Sequence, residues 1–204
     1  MSRADNRIYL ASQSPRRREL LKQMGVNFDV LMLRIAPGRA DVLENPLENE
    51  EAGAFALRMA EEKSSKGAEA TRLRQLIARP VLGADTVVDI DDEIIGKPRD
   101  LAHAGEILQR LSGRAHWVYT GVAVTVSGRM ESRLSSSKVE FAPLSSTVIA
   151  RYLESGEALD KAGAYGIQGR AGSFIARIEG SYTGIMGLPL YETAELLNWA
   201  GIRI

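Results

Sequence analysis

The chain has 204 residues, 45% of them hydrophobic, with 26 basic and 26 acidic side chains, two histidines and no cysteine. That is the size and composition of one large globular domain, or of two small lobes sharing a core, and not of a disordered chain. The missing cysteines exclude a disulfide scaffold, a thiolate metal site and a cysteine nucleophile, and zero formal charge argues against bulk adhesion to nucleic acid or membrane.

The first expected element is a short strand, Ile8–Ala11. Ser12-Gln13-Ser14 makes a turn, and Pro15 opens a helix whose apolar face is Leu20, Leu21 and Met24 and which Gly25 ends. Phe28–Leu33 reads as a second strand. Residues 36–50 read as a surface loop, and a helix is expected over about Glu51–Lys66. Val81–Ala84 is a buried-looking strand with Asp85 at its end. Thr86–Ile90 continues extended, and Asp91-Asp92 turns it into a hairpin return at Glu93–Ile95. Gly96-Lys97-Pro98 is a turn before a helix over Leu101–Leu111. Trp117–Val126 is the strongest strand in the chain, with Met130–Phe141 as its antiparallel neighbour. A helix from Ser145 or Ser146 through Leu153, a glycine-rich loop over 156–173, a strand over Phe174–Ile178 and a helix over Leu190–Ala200 complete the order. No repeat, heptad seam or membrane-length apolar run interrupts it. The expected architecture is α/β: a mixed sheet with flanking helices, in one domain over 1–204.

Four segments carry groups suited to chemistry. The first is Ser12 to Arg18, where a strand runs into a hydroxyl-rich turn and a helix start bearing Arg16, Arg17 and Arg18. Free backbone N–H groups and guanidinium forks there suit a phosphate, although arginines in a first turn oppose the helix dipole and a solvated basic turn has the same composition. The second is Asp85, a carboxylate at a strand end, where open α/β sheets collect ligands and where an aspartate can also simply cap a turn. The third is Lys97, held between glycine and proline as a phosphate ligand or an exposed turn residue. The fourth is Asp160 to Gly172, whose glycines allow backbone to approach a ligand and whose Gln168 offers both a donor and acceptors for a base edge. Tyr165 and Phe174 beside it read as packing residues, and His103 and His116 as surface or supporting residues.

Taken in order, five pieces resemble the Maf family of nucleoside triphosphate pyrophosphatases. They are Leu10-Ala-Ser-Gln-Ser-Pro-Arg-Arg-Arg-Glu-Leu-Leu21, Leu82-Gly-Ala-Asp-Thr-Val-Val88, Gly96-Lys-Pro98, Asp160-Lys-Ala-Gly-Ala-Tyr-Gly-Ile-Gln-Gly169, and Gly180-Ser-Tyr182 with Gly187-Leu-Pro-Leu190. The resemblance implies an elongated two-lobed fold of the inosine triphosphatase kind with a central cleft. It implies hydrolysis of a nucleoside triphosphate to monophosphate and pyrophosphate with Mg²⁺ or Mn²⁺, Asp85 being the general base or a metal ligand. Ser12, Ser14, Arg16, Arg17, Lys63, Thr86, Lys97 and Gln168 are the implied substrate contacts. Arg16, Thr86 and Gln168 stand at the three positions that separate the subfamilies, and they resemble the dTTP/UTP type. The sister type, acting on 7-methyl-GTP, has Trp, Gln and Glu there. A homodimer is a further family-level expectation, whereas a cytoplasmic location and the absence of nucleic-acid and membrane partners are expected from the composition, the zero net charge and the lack of a membrane-length apolar run.

In one place the chain departs from the family pattern. An acid is expected after the second strand, where Ile35-Ala36-Pro37 stands, with Asp41, Glu44 and Glu48 downstream as candidate substitutes. That departure leaves room for a competing reading, a non-catalytic nucleotide-binding regulator of cell division. A nucleic-acid-binding module is disfavoured by the zero net charge and the lack of aromatics along a basic stripe.

Overall fold

The computed structural model describes residues 6–34 and 41–204; the expected departure at Ile35-Ala36-Pro37 lies outside them. One seven-stranded mixed sheet organises the chain. Its strands are β1 (Arg7–Leu10), β2 (Asn27–Val30), β3 (Val81–Ile90), β4 (Glu93–Ile95), β5 (Ala115–Val126), β6 (Arg129–Phe141) and β7 (Ile175–Glu179). They lie in the order β2-β1-β3-β5-β6-β7, with β4 paired to β3. β1 runs parallel to both β2 and β3, and every other pairing is antiparallel. The helices are α1 (Pro15–Gln23), α2 (Ala52–Leu73), α3 (Leu101–Leu111), α4 (Ser146–Leu153), α5 (Tyr182–Met186) and α6 (Leu190–Trp199).

α2 covers one face of the sheet. It runs seven residues beyond its expected end at Lys66, because Ser64, Gly67 and Thr71 continue its buried stripe after Ala60 at helical spacing. A stripe made of small and polar residues carries no hydropathy signal. Ser64 replaces apolar packing with hydrogen bonds, donating to the Val81 carbonyl at 2.8 Å and meeting Thr125 Oγ1 at 2.7 Å. The helix lies directly on strand backbone at Gly83 and Gly121. A Cβ on Gly121 would press on the Ala56 carbonyl and reach 2.7 Å from Leu57 Cα, and one on Gly83 would press on the Ala60 carbonyl and reach 3.0 Å from Ser64 Cα.

The opposite face carries two apolar clusters. One joins Leu82, Ala84, Val122 and Val124 to Leu20 and Leu21 of α1 and Leu196 and Leu197 of α6. The other joins Val88, Val118 and Val139 to α3, α4 and the aromatic group Phe141, Tyr152, Tyr165 and Phe174. Between them a row of hydroxyls crosses three strands, since Thr86 pairs with Thr120 and Thr120 with Ser135. α5, which hydropathy does not announce, sits over this row, and Met186 at its end packs against both clusters.

His116 corrects a sequence expectation. It is not a surface residue but a core one, 1% exposed, with Nε2 2.8 Å from the Tyr165 hydroxyl and its ring edge-on to Phe141 and Tyr165. Strand alternation places it on the same face as Val118 and Thr120. His103 stays local to the start of α3, its Nδ1 accepting the Arg99 N–H at 3.2 Å. Tyr165 and Phe174 pack in the core as expected.

Two outcomes follow. Gly121→Ala should lower unfolding free energy by at least about 2 kcal/mol in urea titrations, because the clash is with helix backbone that cannot rotate away. Burial pushes the His116 pKa down to about 4 from an unfolded value near 6.5. The unfolded chain therefore binds a proton that the folded one refuses, so stability is full above pH 6.5 and falls by about 3 kcal/mol as pH drops to 4. His116→Phe should remove that slope while costing about 1–3 kcal/mol at pH 7, because it orphans the Tyr165 hydroxyl. Stability curves of both proteins across pH 4–8 measure this.

Candidate active site

The site lies where the sheet is incomplete. β5 accompanies β3 from Val81 to Asp89 on one side. On the other side β1 pairs only at Val81 and Leu82, and β4 only from Val88 to Ile90. Among the described residues no strand pairs with that side between Leu82 and Val88, and Asp85 and Thr86 stand in the gap. Strand alternation sends their side chains to opposite faces.

On the α2 face, Asp85 meets Lys63. The lysine ammonium lies 2.6 Å from Asp85 Oδ1 and 2.5 Å from Glu44 Oε1, so one cation bridges two carboxylates. Lys63 occupies the turn of α2 that rests on Gly83, which fixes its reach to the strand. Of the three candidate acids, Glu44 is the one brought here. Asp41 instead holds the Arg34 backbone N–H at 2.7 Å and its Nε at 2.8 Å. Burial raises the Glu44 pKa, but Lys63, with Lys97 and Arg17 behind it, outweighs this and holds the carboxyl below its usual range. Lys97 is within electrostatic reach of the same carboxylate. The β4 register explains this, for the chain leaving Ile95 opposite Val88 runs back along β3 towards Asp85.

On the other face Arg17 gathers the second group. Its Nε donates to the Gly187 carbonyl at 2.8 Å, one terminal nitrogen to Ser12 Oγ at 3.0 Å and the other to Thr86 Oγ1 at 3.3 Å. Burial lowers the Arg17 pKa, Asp85 raises it again, Arg16 lowers it and Glu44 raises it. A guanidinium stays charged through such shifts. Arg17 is thus the electrostatic link between the two faces of the gap.

The remaining expected residues divide. Ser14 caps α1, its side chain accepting the Arg17 N–H. Arg16 reaches Asp160, NH1 to Oδ2 at 2.9 Å and NH2 to the carbonyl at 3.4 Å, and so ties the helix start to the glycine-rich loop. That loop is further held by the Gly163 N–H on the Gly96 carbonyl at 3.1 Å and by Tyr165 on His116. Gln168 lies exposed on the loop beyond these anchors. Two members of the site escaped sequence reasoning. Thr120 had a signal, a hydroxyl at an inward position between Val118 and Val122 of an apolar strand. Gly187 had only its place in the Gly187-Leu-Pro-Leu190 piece of the resemblance, which gives no hint that its backbone carbonyl holds Arg17.

Residues 7–200 match the family model described as Maf-like protein, and the chain belongs to that family. It is 48% identical over 98% of its length to the dTTP/UTP pyrophosphatase of Nitrosomonas europaea, covering 98% of that protein. It is 51% identical over 97% of its length to the dTTP/UTP pyrophosphatase of Dechloromonas aromatica, with 98% of that protein covered. To the protein of the same name from Aromatoleum aromaticum it is 52% identical, over 96% of each chain. Among solved structures, the Staphylococcus aureus Ham1 protein is similar with a TM-score of 0.42 at 14% identity, over 67% of this chain and 72% of that one.

Lys63→Met should raise the Glu44 pKa, since it removes the ammonium that holds the carboxyl down. Titration of the side-chain carboxyl carbon by NMR measures it, and an unmoved Glu44 would contradict the bridge.

Proposed function

We propose that this chain is a dTTP/UTP pyrophosphatase, hydrolysing the nucleotide to its monophosphate and pyrophosphate. The reading is carried by the Lys63 ammonium bridging Asp85 and Glu44 at the gap in the sheet, beside a helix start bearing Arg16 and Arg17. The names of relatives about half identical over nearly the whole chain point the same way.

The triphosphate brings negative charge to Arg16, Arg17, Lys63 and Lys97, and guanidinium forks and ammonium groups complement its oxygens. Both lone pairs of Ser12 Oγ are taken, by Arg17 and by the Ser14 N–H at 3.2 Å, so its hydroxyl proton is free for a phosphate oxygen. When Lys63 turns to phosphate, Asp85 loses its partner and can accept a proton from water. That water attacks the α-phosphorus, a new P–O bond forms, and the α–β bridging P–O bond breaks with its electrons leaving on pyrophosphate. Positioning and charge neutralisation do most of the work in such a displacement.

No group of three His, Cys, Asp or Glu suited to hold a metal occurs among the described residues. Asp85 and Glu44 nevertheless fit Mg²⁺ or Mn²⁺ in the way Mg²⁺ is commonly bound, by one or two carboxylates plus substrate phosphate oxygens. Such an ion would supply neutralisation of the phosphate charge. Gln168 reads the base in this proposal, from the far end of a loop that Asp160 ties to Arg16. The regulator reading rested on the acid missing near Ala36; with Glu44 at the site, no specific observation favours it.

Pyrophosphate release from dTTP, UTP, CTP, dATP, GTP and 7-methyl-GTP, with Mg²⁺, Mn²⁺ or EDTA, tests the proposal. Metal-dependent release from dTTP and UTP is expected, and none from the others. Asp85→Asn should lower the rate at least ~10²-fold, and Gln168→Glu should weaken dTTP and UTP turnover without lowering Tm. Near-normal turnover by Asp85→Asn would remove it as the base.

A further inference from the structure

The hydroxyl row between the two apolar clusters has a fixed hydrogen-bond direction. Thr120 is fully buried, and its Oγ1 lies 2.8 Å from the Gly184 carbonyl oxygen. Two oxygens at that distance need a proton between them, and a carbonyl has none to give, so the Thr120 proton is committed to Gly184. The 2.9 Å contact between Thr86 Oγ1 and Thr120 Oγ1 must then use the Thr86 proton. One lone pair of Thr86 accepts from Arg17. A single lone pair is left, on a half-buried residue in the gap of the sheet. Gly187 passes that oxygen without a side chain, where a Cβ would touch it at 3.4 Å.

We propose that Thr120 is a specificity-determining positioning residue. By taking the Thr86 proton it turns Thr86 into a pure acceptor, so this corner of the cleft admits a hydrogen-bond donor of the nucleoside and rejects an acceptor. The inference rests on the pyrimidine nucleotide reading above. The donor it selects is the imide N3–H that uracil and thymine carry and cytosine lacks. A site whose polar group is committed to one direction discriminates strongly, because a mismatched ligand leaves buried polar atoms unpaired.

Thr120→Val keeps the side-chain shape, and the Gly184 carbonyl retains its bond from the Gly187 N–H at 2.9 Å. What changes is that the Thr86 proton becomes free to turn towards the ligand. The test is steady-state kcat and KM for UTP, CTP and 3′-deoxy-UTP with the full chain and its Thr120→Val, Thr120→Ser and Thr86→Val variants. Thr120→Val should lower the UTP-to-CTP ratio of kcat/KM about tenfold, mainly through KM. The ratio of UTP to 3′-deoxy-UTP should stay unchanged, because a sugar hydroxyl both donates and accepts and does not sense the direction of the Thr86 proton. Thr120→Ser, which keeps the hydroxyl, should preserve both ratios. Thr86→Val leaves the Thr120–Gly184 bond intact and should reproduce the loss, which keeps the test open if Thr120→Val folds poorly. An unchanged UTP-to-CTP ratio in both valine variants, with a wild type that discriminates, would overturn this inference alone. A wild type that releases pyrophosphate from none of these nucleotides would overturn the activity first and the inference with it.

Discussion

The close seating of α2 on the sheet is the constraint on which the rest depends. Gly83 and Gly121 have no side chains, so helix backbone rests on strand backbone. At that separation the Lys63 side chain spans from the helix to Asp85 and Glu44. A helix held one side chain further out would leave the two carboxylates facing each other without a cation. Like charges so placed repel, and one of them would be forced towards its neutral form. The same seating makes Ser64 a hydrogen-bonded replacement for an apolar core residue, satisfied by Val81 and Thr125.

The other face is organised by a polar seam. Two apolar clusters share β3 and β5, and the hydroxyls of Thr86, Thr120 and Ser135 separate them. Buried hydroxyls need partners, and α5 supplies one through the Gly184 carbonyl. Arg17 then joins α1 to the seam and to Gly187, so segments distant in the chain are locked by one guanidinium with three acceptors. The gap in the strand pairing leaves Asp85 and Thr86 without a neighbouring strand on one side, one on each face of the sheet. The interruption of the sheet is thus flanked by charge on one side and by directed hydroxyls on the other.

Much of this was legible in the chain itself. Ser14 and Pro15 announced α1, Asp91-Asp92 announced the β3–β4 turn, and the alternation through Trp117–Phe141 announced the long hairpin. Those signals are local, carried by turn chemistry and by side chains repeating at the period of their element. The last turns of α2 were silent because small and polar residues form their contacts, and α5 because five residues are too few to show a helical period. His116 was misplaced because nothing local marks a histidine whose partner, Tyr165, comes from a loop far along the chain.

The sequence by itself determined the order of elements, the basic helix start, the carboxylate at Asp85 and the resemblance that named a nucleotide chemistry. Tertiary structure alone decided that Glu44 and not Asp41 faces Lys63, that the Ser14 oxygen caps α1, and that Arg17 gathers Gly187, Ser12 and Thr86 around one guanidinium. It also decided that Thr120 lies between Thr86 and the Gly184 carbonyl and fixes the direction of the Thr86 hydroxyl. The division has a physical reason. Periodicity and turn chemistry act over a few residues, whereas ion pairing and hydrogen-bond direction depend on distances of a few ångströms between chain segments, which only the packing of α2, α5 and the sheet sets.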